Sequence, residues 1–266
     1  MTATVGGPAV GALEARLRAR RHAGAKLLVP YVTGGLGERW TEVLAAMAAA
    51  GADAVEIGIP FSDPVMDGPT IQEASQRALD LGATPAGILA AVPTDVAVPL
   101  VAMTYYNLVY RAGHRRFAGS LRAAGVAGAI VPDLPLEELG PWAAAAAAEG
   151  VETVLLASPV TPDDRLARIC EQSEGFVYGV SLMGITGERR TLAASAAVMA
   201  KRLKAHTDKP VLLGIGVSTP DHAVEASAEA DGVIVGSALM RRLLDGASPE
   251  QVGEAVAGFR AALDRG

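Results

Sequence analysis

Residues 210–237 read PVLLGIGVSTPDHAVEASAEADGVIVGS, and the order of elements in this stretch decides the fold. Two near-continuous apolar runs, 210–215 and 230–235, flank a segment of helical composition at 219–228. Runs that are apolar at nearly every position belong to strands buried on both faces. Strand, helix and strand in this order make a parallel βαβ crossover. Each run ends in small residues, Gly214-Ile215-Gly216 and Gly236-Ser237, where the chain turns toward a helix.

The same unit recurs toward the N-terminus. Strand-like runs occupy 26–32, 54–59, 97–103, 127–131, 151–157 and 175–181. Helical composition lies between them at 38–50, 69–81, 112–124, 137–149, 163–173 and 190–205, and closes the chain at 237–245 and 248–263. The six alanines Ala143 to Ala148 read as helix interior, with Pro141 at the first helical position and Gly150 past the end. Eight strands, each followed by a helix, close a (β/α)8 TIM barrel, which typically needs about 250 residues. An open doubly wound sheet is the competitor, but no GxGxxG opens its first helix. No linker-like stretch divides the chain. The expected organisation is a flexible tail at 1–10 and one barrel over 11–266, entered through an extra, basic N-terminal helix.

Composition removes other classes. With 266 residues, 50% hydrophobic and 20% charged, the chain has ample material for a core. A net charge of −6 offers no footprint for nucleic acid. Cys170 is the single cysteine, so no internal disulfide forms, as expected of a cytoplasmic protein. The N-terminus lacks a signal-peptide pattern, and no apolar run reaches the ~18 residues of a membrane helix.

Active sites of such barrels lie at the C-terminal ends of the strands. Asp53 and Asp231 precede strands and read as structural. Glu56 lies inside the second strand, where alternation sends Val55, Ile57 and Ile59 outward against helices and leaves Glu56 facing the barrel axis. Burial raises such a carboxyl's pKa, by up to about 3–5 units, which suits a general acid/base. The alternative is a buried glutamate satisfied by tyrosine or backbone partners. The following loop, Pro60 to Thr70, adds Asp63 before a proline and Asp67 before a glycine. Each is either a turn residue or a carboxylate at the catalytic rim.

Glycine-bearing ends of strands 7 and 8, with Gly184-Ile185-Thr186-Gly187 after strand 6, point to an anion seat. Backbone N–H groups at small residues and at a helix start bind phosphate without lysine. Turn chemistry alone is the other reading of these glycines. A Schiff-base mechanism needs a lysine at a strand's C-terminal end. The 23 basic residues include only four lysines, with Lys26 and Lys209 at strand starts and Lys201 and Lys204 on a helix. His22, His114, His206 and His222 are scattered outside the strands and read as surface residues, so no metal site is expected. Cys170 reads as a packed helix residue.

The segment Glu56-Ile57-Gly58-Ile59-Pro60-Phe61-Ser62-Asp63-Pro64, followed by Asp67-Gly68-Pro69-Thr70-Ile71-Gln72, resembles the hallmark of tryptophan synthase α chains. Similar segments follow in collinear order at Tyr105-Tyr106-Asn107, Pro132-Asp133-Leu134-Pro135, Gly184 to Gly187, Gly214 to Ser218 and Gly236-Ser237-Ala238. The resemblance implies cleavage of indole-3-glycerol phosphate to indole and glyceraldehyde 3-phosphate. By position, Glu56 resembles the general acid/base and Asp67 the carboxylate that holds the indole N–H. Tyr31 and Tyr105 match aromatic pocket positions, and Tyr178 a tyrosine near the catalytic glutamate. Gly187, Gly216, Gly236 and Ser237 fall on phosphate-binding positions, and Thr186 is a further substrate-binding position.

The family pairs with a pyridoxal-phosphate β chain as an αββα assembly, which implies no cofactor on this chain itself. Asp63 and Asp133 would face or support that interface, with loop capping as the simpler reading. The chain departs from the family at Thr33-Gly34-Gly35-Leu36-Gly37, where many members carry Gly-Asp-Pro, and at Ser158-Pro159. A stand-alone lyase, a non-catalytic allosteric barrel subunit and another phosphate-binding barrel enzyme are the remaining alternatives.

Overall fold

The computed structural model describes residues 10–180, 189–214 and 216–266. Eight parallel strands close into a barrel in sequence order, and the eighth pairs with the first. They are β1 (Leu27–Thr33), β2 (Val55–Gly58), β3 (Leu100–Met103), β4 (Val126–Ile130), β5 (Glu152–Ala157), β6 (Val177–Val180), β7 (Val211–Gly214) and β8 (Gly232–Val235). The helices are α1 (Ala12–His22), α2 (Trp40–Ala49), α3 (Pro69–Asp80), α4 (Pro85–Ala91), α5 (Tyr106–Ala112), α6 (His114–Ala123), α7 (Leu139–Ala148), α8 (Asp163–Gln172), α9 (Arg189–Lys204), α10 (Pro220–Ser227), α11 (Ser237–Leu244) and α12 (Pro249–Leu263). The expected (β/α)8 barrel with an added N-terminal helix is therefore present. Of the expected tail, residues 1–9 lie outside the described residues.

Strand alternation sorts the apolar residues into two cores. Val55, Ile57 and Ile59 join the layer between barrel and helices, whereas Ala54, Val101, Val154 and Leu212 fill the barrel interior. The lower half of that interior is solid. Helix α1 crosses its N-terminal end and inserts Leu13 and Leu17, both fully buried, among Leu27, Phe176 and Ile130. The residue preceding α1, Gly11, supplies no side-chain cap. The Glu152 carboxylate at the start of β5 replaces it, accepting the Leu13 and Glu14 N–H groups at 2.8 and 3.0 Å. The closed floor confines any ligand to the opposite, C-terminal half.

Both aspartates read as structural tie the floor together. Buried Asp53 accepts the Leu28 N–H at 2.9 Å, Arg20 at 2.7 Å and Arg260 at 3.3 Å. Asp231 accepts the Val211 N–H at 2.9 Å and Lys204 at 2.8 Å. The lysines stay at this end: Lys26 donates to the Ser227 and Ala230 carbonyls, and Lys209 to that of Cys170. Cys170 is packed on α8, its Sγ 3.9 Å from the Leu203 carbonyl.

Some local expectations change. Helix α4 and most of α5 fall in stretches to which sequence patterning assigns no element, because each spans only seven residues, too few to display a 3.6-residue period. Gly113, at φ +85°, separates α5 from α6 within what composition alone joins from 112 onward. Pro141 stands third in α7, which a 3-10 turn at Leu136–Glu138 precedes; proline remains tolerated there because first-turn N–H groups lack partners. His22 and His206 are exposed as expected, but His114 and His222 are half-buried, bonded to Tyr106 and Ser218. Among the described residues, no helix is long and apolar enough to cross a membrane.

Candidate active site

The strand ends enclose a cavity of about 260 Å³ at the C-terminal half of the barrel. Its walls include Tyr31, Glu56, Asp67, Tyr178, Gly216, Gly236 and Ser237, all anticipated from the sequence. Tyr31 and Glu56 are register partners on β1 and β2, so their side chains enter the cavity at one level. Gly58 faces the same way, and a Cβ there would overlap the Tyr31 hydroxyl. Gly214 does the same for Tyr178, whose ring occupies the space beside β7. These two glycines thus make room for tyrosines. Gly58→Ala is expected to destabilise the fold by about 1–3 kcal/mol through overpacking, read by thermal denaturation.

Glu56 is 1% exposed, and its Oε2 has no hydrogen-bond partner among the described residues. An unpartnered carboxyl oxygen in such a place resists ionisation. Burial, and secondarily the charge of Asp67, push Glu56 up to about 8. Asp67 is pushed up to about 6 by burial, opposed by a hydrogen bond from the Tyr105 hydroxyl. Near neutral pH, Glu56 therefore carries a proton while Asp67 is largely ionised. Two carboxyl groups with separated pKa values can divide the roles of acid and anion.

Asp67 reaches the cavity because its loop is braced. Its N–H bonds the Pro64 carbonyl at 3.0 Å, and its own carbonyl accepts Gln72 Nε2 at 2.8 Å. Gly68 then precedes α3, with Pro69 pre-set for the first turn. Tyr105 does not line the cavity. It stands behind the loop, accepting the Met66 N–H at 3.0 Å and stacking on Phe61 at 5.1 Å between centroids. Asp63 is exposed on that loop, tied by the Ser62 hydroxyl at 2.6 Å. Asp133 is also exposed, on the loop after β4, where it accepts the Tyr106 N–H. Neither aspartate enters the cavity.

Beyond Tyr31, the start of α11 opens onto the same space at Gly236 and Ser237. The first N–H groups of a helix lack intrahelical partners, and with the helix dipole they favour an anion. Gly216 holds φ +73°, and among the described residues nothing lies within 4 Å of where its Cβ would stand. Thr186 and Gly187 lie outside the described residues. Sequence reading missed the apolar walls Met66, Ile71, Met103, Leu156 and Ile234. Met103, Leu156 and Ile234 follow the inward alternation on β3, β5 and β8, so carrying the pattern of β2 to those strands would have found them.

A cavity at the C-terminal end of a (β/α)8 barrel that holds two carboxyl groups beside apolar walls and a helix start is the arrangement of a barrel enzyme. The tryptophan synthase alpha chain family model matches residues 17–263. Alpha chains of Chloroflexus aggregans and Chloroflexus aurantiacus are 44% and 46% identical to this chain, covering 90% and 86% of it and 92% and 87% of their own lengths. Tryptophan synthase from M. tuberculosis contains a chain that superposes with TM-score 0.87 at 33% identity, over 96% of this chain and 99% of that one. The alpha subunit from Legionella pneumophila does so with TM-score 0.87 at 30% identity, over 97% and 100%. The chain belongs to the tryptophan synthase alpha chain family, the lyase subunit that cleaves indole-3-glycerol phosphate to indole and glyceraldehyde 3-phosphate in tryptophan biosynthesis.

Proposed function

We propose that Glu56 carries the proton of this cleavage and that Asp67 steadies the charge on the indole ring. The observation that supports this reading is the buried Glu56 carboxyl with an unpartnered Oε2 in the cavity wall. Protonated Glu56 gives its proton to indole C3, leaving a cationic ring whose N–H faces Asp67. An anion in a low-dielectric cavity stabilises that cation as it develops. The Glu56 carboxylate then takes the proton of the glycerol hydroxyl. The carbon–carbon bond breaks, its electron pair returns to the ring, and indole and the aldehyde leave with Glu56 reprotonated. Tyr31 and Tyr178 flank the ring, Tyr105 supports Asp67, and the phosphate rests on Gly216, Gly236 and Ser237; by sequence position, Gly187 would join the phosphate seat and Thr186 the substrate contacts.

The test is an indole-release assay on the purified chain across pH. The free-enzyme profile of kcat/KM should rise as Asp67 ionises near pH 6 and fall as Glu56 loses its proton near pH 8. Asp67→Asn should remove the acidic limb. It should also move the alkaline limb down, because the charge that raises Glu56 is gone. A flat profile over this range would overturn the assignment.

The chain is proposed to act as one catalytic barrel over 11–266, in the cytoplasm, and in an αββα assembly with a β chain. Exposed apolar side chains support a partner on the catalytic face: Val65 on the Asp63 loop is 76% exposed, and Val160, after β5, 69%. Pyridoxal phosphate would stay on the β chain. In keeping with that, Lys26, Lys204 and Lys209 are committed to the opposite end of the barrel, and Lys201 pairs with Glu229. Assays with and without β chain separate this reading from a stand-alone lyase, whose activity the β chain would leave unchanged.

A further inference from the structure

The start of α5 joins the loop that carries Asp67 to the loop that carries Asp133. Tyr105 immediately precedes the helix in an extended conformation, and its own side chain caps nothing. The next N–H, on Tyr106, donates to Asp133 Oδ1 at 2.8 Å, across 27 residues of sequence. The two tyrosine side chains reach different partners. Tyr105 braces the Asp67 loop through the N–H of Met66, the residue next to Asp67. The Tyr106 hydroxyl lies 3.0 Å from His114 Nε2, and the two rings stack with centroids 5.7 Å apart.

The N–H that Asp133 holds belongs to the same rigid plane as the Tyr105 carbonyl, since the peptide unit is planar. With Tyr105 held extended at the helix start (φ −81°, ψ 146°), anchoring that plane restricts the direction in which its side chain leaves the backbone. A small rotation of the plane is magnified along the ring to its hydroxyl, where the bond to Met66, next to Asp67, is made. We propose that Asp133 is a positioning residue for the Asp67 carboxylate, acting through the Tyr105–Tyr106 peptide. This rests on the role assigned to Asp67 above and adds a residue that never touches substrate.

The groups that face Asp67 electrostatically are Glu56 on β2, Tyr31 on β1, Tyr178 on β6 and Tyr105 at α5. Of these, only Tyr105 is tied through its own peptide to Asp133. Loosening Tyr105 frees the Met66–Asp67 segment and moves away the hydroxyl that favours ionised Asp67, leaving burial to dominate.

The experiment measures kcat/KM for indole release against pH, for the full chain alone and with saturating β chain. Asp133→Ala should shift the acidic limb upward by roughly one pH unit in both settings, with the alkaline limb held within a few tenths. Asp133→Asn keeps an acceptor for the Tyr106 N–H and should restore the parent profile. Asp133→Ser, too short to reach that N–H, should reproduce the alanine result and guards against a folding defect peculiar to alanine. An acidic limb that stays in place in every variant overturns the proposal. So does a limb that moves only when β chain is present, which would make Asp133 an interface residue instead. Glu56→Gln, run beside these, distinguishes the two levels: retained turnover defeats the proton-carrier reading, whereas an inert Glu56→Gln with an unmoved Asp133→Ala limb defeats this one alone.

Discussion

Glu56→Gln is expected to lower indole release from indole-3-glycerol phosphate by about 10²- to 10⁴-fold while the chain still binds substrate. Glutamine keeps the size and hydrogen-bonding ends of the side chain but can neither give nor take the proton. Substrate affinity, read by equilibrium titration, should change little, because the proposed phosphate seat at Gly216 and Ser237 and the apolar walls are untouched. Turnover close to that of the parent would sink the assignment. The variant should also melt no lower than the parent at alkaline pH. Glu56 titrates near 8 in the folded chain, above the ordinary 4.5, so the folded state binds the extra proton between those values. Stability linked to this group is full below about pH 4.5 and declines as pH rises toward 8. Glutamine has no such decline, so the parent should lose melting temperature over that range and the variant should lose less. A catalytic acid kept at a cost to stability is the trade expected of an active site.

Asp53→Ala is expected to destabilise the folded chain by about 3–5 kcal/mol, the cost of leaving a buried charge without its partner. Asp53 is 1% exposed, and its two oxygens serve Arg20, Arg260 and the Leu28 N–H. Removing it orphans a β1 amide and strips a partner from Arg260, itself only 8% exposed. Thermal melting should fall by roughly 10 °C. Asp53→Asn, which still offers Leu28 an acceptor, should fall less. Because the site lies at the opposite end of the barrel, kcat/KM below the melting range should be unchanged. A loss of activity without a loss of stability would contradict the structural role.

The arrangement of the site explains why much of it could be read early. Glu56 points inward because successive strand residues alternate, a rule that needs only its immediate neighbours Val55 and Ile57. The glycines at the ends of β7 and β8 point to the proposed anion seat for an equally local reason, since small residues and a helix start are adjacent in the chain. Tyr105 is different. Its type and motif suggest a pocket wall, but the seven-residue α5 turns it behind the Asp67 loop, where it acts on a carboxylate 38 residues earlier in the sequence. Likewise, in the sequence Gly58 is only a missing side chain, whereas in the fold Tyr31 from the neighbouring strand occupies the space a Cβ there would need.

From the sequence alone follow the eight parallel strands, the barrel they close, the inward carboxyl on β2, the structural roles of Asp53 and Asp231, and the absence of a lysine at the catalytic end. All of these rest on patterns a few residues long: periodicity, turn chemistry and residue type at a strand's start or end. Only the tertiary structure decided that Asp67 is buried enough to titrate near 6, that Glu152 caps α1 from 138 residues away, and that Asp133 holds the peptide beside Tyr105. Burial, close approach and hydrogen bonds between distant segments depend on which surfaces meet when the barrel closes, and no local window of sequence contains that information.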